Sequence, residues 1–410
     1  MKKSDAKPQP KTPPLYLNAR EAASELAISP ATLYAYVSRG LIRSEPITAG
    51  GRGRRYRAED VRSLKNRRAP LVEGQGLKSA DLPVMDSAVS TITEDGPVYR
   101  GVLATSLAQA ATFEQAASLL WDAKTVDPFT PDNLPHISKE MAAMLAATDR
   151  AAPIDRAIAV LTLATDTDPA AFNATPEGRA IVGAKILRLV AAAILRTPPK
   201  WMPIHEQITR AWALNHAHAS DLIRRVLVLL ADHELNPSTF TVRCAASTGL
   251  SLYDALIPGL VALKGPRHGG VGPQASRLLE TLLAGDAPAI IRERVALGER
   301  FPGFGHVVYG DRDPRALSIF EALVKTGDID ERLTIEFPHR IYEATGQFPN
   351  CDYALAVMRH ALDMPKGSET TIFALARTAG WIAHASEQLE SRKLIRPRAR
   401  YTGAAPARKR

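Results

Sequence analysis

The sequence predicts a mainly helical protein, in which a small helix-turn-helix unit is joined by a linker to a large helical body. Three observations carry this. From residue 113 to 390, apolar residues recur at helical spacing in one segment after another: DRAIAVLTLA, GAKILRLVAAAIL, DLIRRVLVLLADHEL, ASRLLETLLAG and TIFALARTAGWIAHASEQLE. Alanine is abundant and aromatic residues make up only 6%, which favours helices over sheets. No strand–helix alternation points to a parallel sheet, and no period points to a solenoid. At 410 residues and 45% hydrophobic, the chain has ample material for a large core.

Charge divides the chain. Residues 1–70 hold 15 Lys and Arg against 6 Asp and Glu, and that surplus equals the +9 of the whole chain. The rest balances. A basic unit of this kind permits binding to nucleic acid or another acidic surface, and serves solubility equally well.

Residues 1–14 read as a disordered basic tail. Residues 15–68 follow as a folded unit. Asn18 caps a helix, with Glu21 at the capping-box position. Ser29 caps a second helix, Pro30 takes its first position, and Gly40 ends it. The loop SEPITAGGRGRRYR comes next, then a short helix from about Glu59 to Arg67. Two short helices and a Gly-Arg loop make a winged helix-turn-helix plan. The segment resembles the mercury-resistance regulator and excisionase superfamily of DNA-binding domains. That resemblance implies a recognition helix beginning at Ser29, with Thr32 and Tyr34 on it and Arg52, Arg54 and Arg55 on the wing. The plainer reading is a helical adaptor that docks on a partner.

Residues 69–85 are a linker, and 86–400 form the body. It opens with alternation around a turn at Asp95-Gly96, predicting a hairpin. Residues 401–410 are a basic tail. The two cysteines, Cys244 and Cys351, make no disulfide framework, which points to a reducing cytoplasm. The N-terminus has no signal-peptide apolar core, and no apolar run is long enough to span a bilayer.

Three distant segments carry the chemistry: GPRHGG at 265–270, PGFGHVVYGDRDPRA at 302–316 and NCDY at 350–353. Each offers one reactive group, His268, His306 and Asp352. Two imidazoles and a carboxylate suit removal of a proton from carbon beside a carbonyl, with stabilisation of the resulting enol. The nearby arginines suggest a carboxylate as second reactant. His216-x-His218 with His233-Glu234 matches no strong zinc spacing, and Cys351 reads as a packing residue.

These segments, with Asp232-His233-Glu234-Leu235-Asn236 and Ser238-Thr239, resemble the citrate synthase family over about 85–400. The resemblance implies a large helical domain plus a small one that closes over it, in a homodimer. It implies an acyltransferase that condenses acetyl-CoA with oxaloacetate to citrate and CoA, without metal or a cofactor beyond acetyl-CoA as co-substrate. Asp352 would take the methyl proton, His268 would steady the enol, and His306 would donate to the keto oxygen. Arg315, Arg377 and His233 would hold oxaloacetate, with Arg396 supplied by the other subunit. Two alternatives stand beside this reading. One is a 2-methylcitrate synthase using propionyl-CoA. The other is a DNA-binding regulator whose body senses acyl-CoA or citrate.

The chain departs from the family pattern after His268-Gly269-Gly270, where Val271-Gly272-Pro273 replaces the usual Ala-Asn-Glu; this predicts a helix from near Pro273 whose start is pinned differently. Val307 and Gly310 replace basic residues, which predicts weaker contacts to CoA phosphates.

Overall fold

The computed structural model describes residues 16–26, 28–38, 42–46, 53–58, 60–61, 85–310, 312–327, 329–399 and 403. Two compact units emerge: Met1–Asp81 with Arg292–Arg300, and Leu82–Ile291 with Phe301–Arg410.

In the first unit, β1 (Tyr16–Leu17) leads into α1 (Ala19–Glu25), capped reciprocally by Asn18 and Glu21 as predicted. The Ser29 hydroxyl accepts the Thr32 N–H at 3.2 Å and starts α2 (Pro30–Ser38). β2 (Ser44–Pro46) and β3 (Arg54–Arg57) form an antiparallel hairpin, and β1 joins its far edge to give the order β1-β3-β2. This hairpin is the predicted wing. Leu17, Ala22, Leu33, Ile42, Tyr56 and Val61 fill the core beneath it. The basic tail 1–14, Gly40 and Arg52 lie outside the described residues, as do most of the linker, the 401–410 tail and the predicted Glu59–Arg67 helix.

The second unit opens with the expected hairpin, β4 (Ser90–Thr93) and β5 (Gly96–Tyr99), to which β6 (Val102–Leu103) adds a third antiparallel strand. Helices then follow in order: α3 (Ala104–Ala110), α4 (Phe113–Leu120), α5 (Lys139–Ala147), α6 (Pro153–Thr167), α7 (Pro176–Leu195), α8 (Ile204–Ala211), α9 (Ala219–Leu229), α10 (Pro237–Ala246), α11 (Leu252–Leu263), α12 (Val271–Ala284) and α13 (Ala287–Leu297), whose residues from Arg292 on are grouped with the first unit. After the 298–313 loop come α14 (Pro314–Val324), α15 (Phe337–Thr345), α16 (Cys351–Ala361) and α17 (Ser368–Ser391).

Two helices are buried along most of their length: α7, rich in Ala, Ile and Leu, and α17, which buries Phe373, Trp381 and Ala383 together with polar residues. Helix α17 packs against α10, α11, α12 and α16, which puts its polar residues in the interior. None of the described helices is long and apolar enough to cross a membrane.

Candidate functional site

The site grows from helix starts. Helix α12 begins at Val271, two residues before the sequence expectation. Pro273 fits within the first turn, where its missing N–H would have no helical partner. The turn before it holds His268. Gly269 has no room for a side chain, because a Cβ there would meet Leu263 Cγ at 2.7 Å. The start of α12 is pinned by other residues than the usual Asn and Glu. The Thr370 hydroxyl donates to Gly269 O at 3.1 Å, Gln274 Nε2 donates to Gly270 O at 3.0 Å, and buried Glu369 bonds the Ser276 hydroxyl.

His306 and Asp352 are placed by two loops zipped together. Asn350 N–H donates to Gly303 O, Gly305 N–H donates to Phe348 O, and Asn350 Nδ2 donates to Gly305 O, each at 2.8 Å. Asn350 also caps α16 by accepting the Asp352 N–H at 2.9 Å. Asp352 thus sits in the first turn of α16. Its Oδ1 lies 3.9 Å from the position of a Cβ built on Gly272, over the start of α12. The carboxylate and the His268 turn therefore face the same helix end.

Around His306 the hydrogen positions follow from the donors. The backbone N–H groups of Val308 and Tyr309 approach its Nδ1 at 3.1 and 3.3 Å, so Nδ1 accepts and Nε2 carries the hydrogen. Yet Arg315 Nη2 stands 3.2 Å from that Nε2, and a guanidinium only donates. Two donors face the same space, which an oxygen accepting from both would fill.

Arg315 is 1% exposed and held by Asp313, with Nε to Oδ1 and Nη2 to Oδ2 both at 2.9 Å. Burial would push Asp313 up, but the Arg315 guanidinium outweighs it and holds the carboxyl below its ordinary range. His233 Nε2 bonds the Tyr309 hydroxyl at 3.1 Å, and its ring lies 5.4 Å from that of His306. Arg377, also 1% exposed, lies over the Phe373 ring, with Nε and Nη1 unpartnered among the described residues. Burial lowers its affinity for the proton, while Asp232 opposes that and Arg315 adds to it.

The imidazoles are kept neutral. Burial, then the Arg377 charge, brings His268 down to about 4. Burial and Arg315 bring His306 to about 4 against the pull of Asp313. His233 lies well below its usual value through burial, Arg315, Arg377 and His306. The His268 Nε2 stands 2.8 Å from Ser238 Oγ, whose hydroxyl is also 2.9 Å from Asn236 Oδ1. That hydroxyl gives its one hydrogen to Asn236 Oδ1, which leaves its oxygen facing His268 Nε2.

His233, His306, Arg315 and Arg377 therefore form one buried group, and Arg377 also acts on His268. Arg396 stands apart, exposed in the segment after α17. Sequence reasoning passed over Asp313, Tyr309 and Ser238 as site residues. Asp313 had a readable signal, an Asp-Pro-Arg helix start in which the capping carboxylate faces its own arginine. Burial pushes the Cys351 thiol well up, which fits a packing residue. His216 and His218 lie half-buried and exposed at the start of α9.

In the first unit, Tyr34 is 55% exposed on α2, and Thr32 is half-buried. The wing arginines are engaged. Arg54 Nε donates to Ser44 Oγ at 2.9 Å, while Arg55 pairs with Glu45 at 3.2 Å and lies 4.2 Å over the Tyr16 ring.

Residues 76–398 match the family model for the citrate synthase C-terminal domain, and residues 17–81 match that for MerR HTH family regulatory proteins. A citrate synthase of Haloferax volcanii is 31% identical over 357 residues, covering 78% of this chain and 93% of the relative. A 2-methylcitrate synthase of Shewanella oneidensis is 34% identical over 186 residues, 44% of this chain and 50% of the relative. The citrate synthase crystal structure from Pyrobaculum aerophilum aligns over 80% of this chain and 92% of its own, with a TM-score of 0.67 at 24% identity, and shares the fold.

Proposed function

The chain belongs to the citrate synthase family, and we propose that it condenses acetyl-CoA with oxaloacetate to give citrate and CoA. The observation that carries this reading is the buried pair Arg315 and Arg377. Arg377 keeps Nε and Nη1 without acceptors among the described residues, and buried donors of a charged group are costly to leave so unless an anion joins them. A dicarboxylate bearing a keto oxygen answers both that demand and the donor pair at His306.

In this reading oxaloacetate enters first, its carboxylates on Arg315 and Arg377 beside His233. Arg396 of a second copy would complete the grip in a homodimer. The His306 Nε2–H donates to the keto oxygen and leaves the carbonyl carbon open to attack. Asp352 takes a methyl proton from acetyl-CoA, and His268 steadies the thioester oxygen as it gains charge. The new carbon–carbon bond forms, the keto oxygen receives by way of water the proton that Asp352 removed, and water then cleaves the thioester to release CoA. A neutral imidazole suits each donor role, because it gives up no proton that it must then recover.

Propionyl-CoA differs by one methylene, a difference worth only about 1–3 kcal/mol in a hydrophobic pocket. The likeness to a 2-methylcitrate synthase keeps that substrate in the proposal. Val307 and Gly310 offer CoA phosphates no cation, and Val307 is 42% exposed. The test is thiol release from acetyl-CoA or propionyl-CoA on adding oxaloacetate, followed with a thiol reagent. Oxaloacetate-dependent release supports condensation; its absence with both thioesters overturns it.

The MerR-type match over 17–81 favours a second role as a DNA-binding regulator. With Arg54 and Arg55 engaged within the unit, the exposed Tyr34 on α2 is the proposed lead contact. A mobility shift that weakens with salt, and weakens further in Tyr34→Ala, supports this role; no shift at low salt ends it.

A further inference from the structure

Glu234 occupies the left-handed region at φ 55, where a side-chain-bearing residue pays about 1–3 kcal/mol. The turn so formed is what carries His233 to Tyr309 and the ring of His306. Asp232 clasps this turn, since its Oδ2 accepts the Glu234 N–H at 3.1 Å. Asp232 itself is wholly buried, and its Oδ2 also accepts from the Ser90 hydroxyl. Gly380 lies against it so closely that a Cβ there would fall 2.2 Å from Asp232 Oδ1.

A second buried group stands behind Asp232. His384, 0% exposed, places Nε2 at 3.2 Å from Asp232 Oδ2 and Nδ1 at 3.2 Å from Arg243 Nη1. A guanidinium only donates, so Nδ1 accepts and the Nε2–H donates to Asp232. Arg243 is fixed in turn by Gln388 Oε1 at 3.1 Å and by Glu387. Glu387 accepts the Ala88 N–H at 2.7 Å, and Gln388 donates to Lys393 O at 2.7 Å.

The proposed reaction uses none of Ser90, Asp232, His384 or Arg243, yet the polar chain they form runs through an interior that would otherwise be apolar. Such networks are costly to bury, and where connected they fix one arrangement; of the buried side-chain polar atoms in this one, Asp232 Oδ1 alone has no hydrogen-bond partner among the described residues. We infer that Asp232, His384 and Arg243 are positioning residues, a buried relay that holds the 232–234 turn and so aims His233 at the keto acid. The identity of that acid rests on the function proposed above; the hold on the turn does not.

His384 is the point to test, because Asp232 also balances the charge of Arg377. The full chain is compared as wild type, His384→Phe and His384→Gln, the glutamine amide standing in for Nε2–H. Two readouts are taken: amide hydrogen exchange at Glu234, and KM for oxaloacetate against kcat. In His384→Phe, exchange at Glu234 rises at least tenfold and KM at least tenfold, while kcat stays within threefold. His384→Gln returns both to within threefold of wild type. Unchanged exchange in His384→Phe overturns the inference, and so does equal loss in Phe and Gln variants, which would mean packing alone. Should His384→Phe fail to fold, Ser90→Ala removes a single hydroxyl from the same carboxylate. A threefold or greater rise in Glu234 exchange then supports the relay, and no rise overturns it. If the wild type neither binds oxaloacetate nor releases CoA, the proposed function fails, and exchange at Glu234 still decides the relay.

Discussion

One carboxylate, Asp313, ties Arg315 to the backbone of Cys351: it takes both Nε and Nη2 of the guanidinium at 2.9 Å and the Cys351 N–H at 2.9 Å. The arginine proposed to grip oxaloacetate and the helix bearing Asp352 thus share one anchor. Asp313→Asn breaks a buried ion pair and loosens both. The expected cost is about 3–5 kcal/mol of folding stability, with KM for oxaloacetate raised at least tenfold. Urea unfolding and steady-state kinetics check the two halves separately.

Asp352→Asn keeps the N-terminal acceptor geometry of α16 but removes the base. Turnover is expected to fall by about 10²–10⁴, with oxaloacetate affinity unchanged by calorimetry. Equal turnover in the variant would move the base elsewhere.

Arg377→Met replaces the buried cation that Asp232 balances with an apolar chain of similar length. Removing one partner of a buried charge pair is expected to cost about 3–5 kcal/mol of stability and to abolish oxaloacetate binding. Thermal unfolding with and without the keto acid measures both, and unchanged stability would show that the pair contributes little to the fold.

The pH dependence has a definite sign. His268 and His306 bind protons near pH 4 in the folded chain, against an ordinary 6.5. Between those values the unfolded chain takes up more protons, so stability is lost as pH falls from 6.5 towards 4 and is fully regained above 6.5. Denaturant midpoints across pH 4–8 should show this slope, reduced in His268→Asn. Neutral donors also predict that condensation persists at pH 6.

Gly303→Ala meets two obstacles at once. Its φ is +87, and the new Cβ would lie 2.7 Å from Tyr353 Cβ. A cost of about 1–3 kcal/mol from the backbone is expected before the clash is counted. Because Gly303 O receives the Asn350 N–H, turnover should fall along with the melting temperature.

The helical fold and the turns that hold His268, His306 and Asp352 were legible because each has a local cause. Helical periodicity marks α7, α12 and α17, and the Gly- and Pro-rich turns mark His268, His306 and Asp352 next to helix starts. What was not legible depends on packing between distant segments. Asp232 meets Ser90 and His384 across 142 and 152 residues, and no spacing announces such pairs. Tyr309 gained a role only once the turn had brought its hydroxyl to His233. The helix start at Val271 was misplaced because Pro273 was taken as the first residue, when a proline is equally at home later in the first turn. The expectation for the wing arginines rested on the resemblance to DNA-binding domains, which did not reveal that Glu45 and Ser44 engage Arg55 and Arg54.

The surplus of hydrogen-bond donors around Arg315, Arg377 and His306 has a consequence for the lifetime of the protein. The proposed keto acid would supply the missing acceptors and so act as a folding partner. At a keto acid concentration one hundred times Kd, such a ligand adds about 2.7 kcal/mol to the folded state. Starved of that acid, the same chain would open more often and meet proteases sooner, so its abundance would follow its supply.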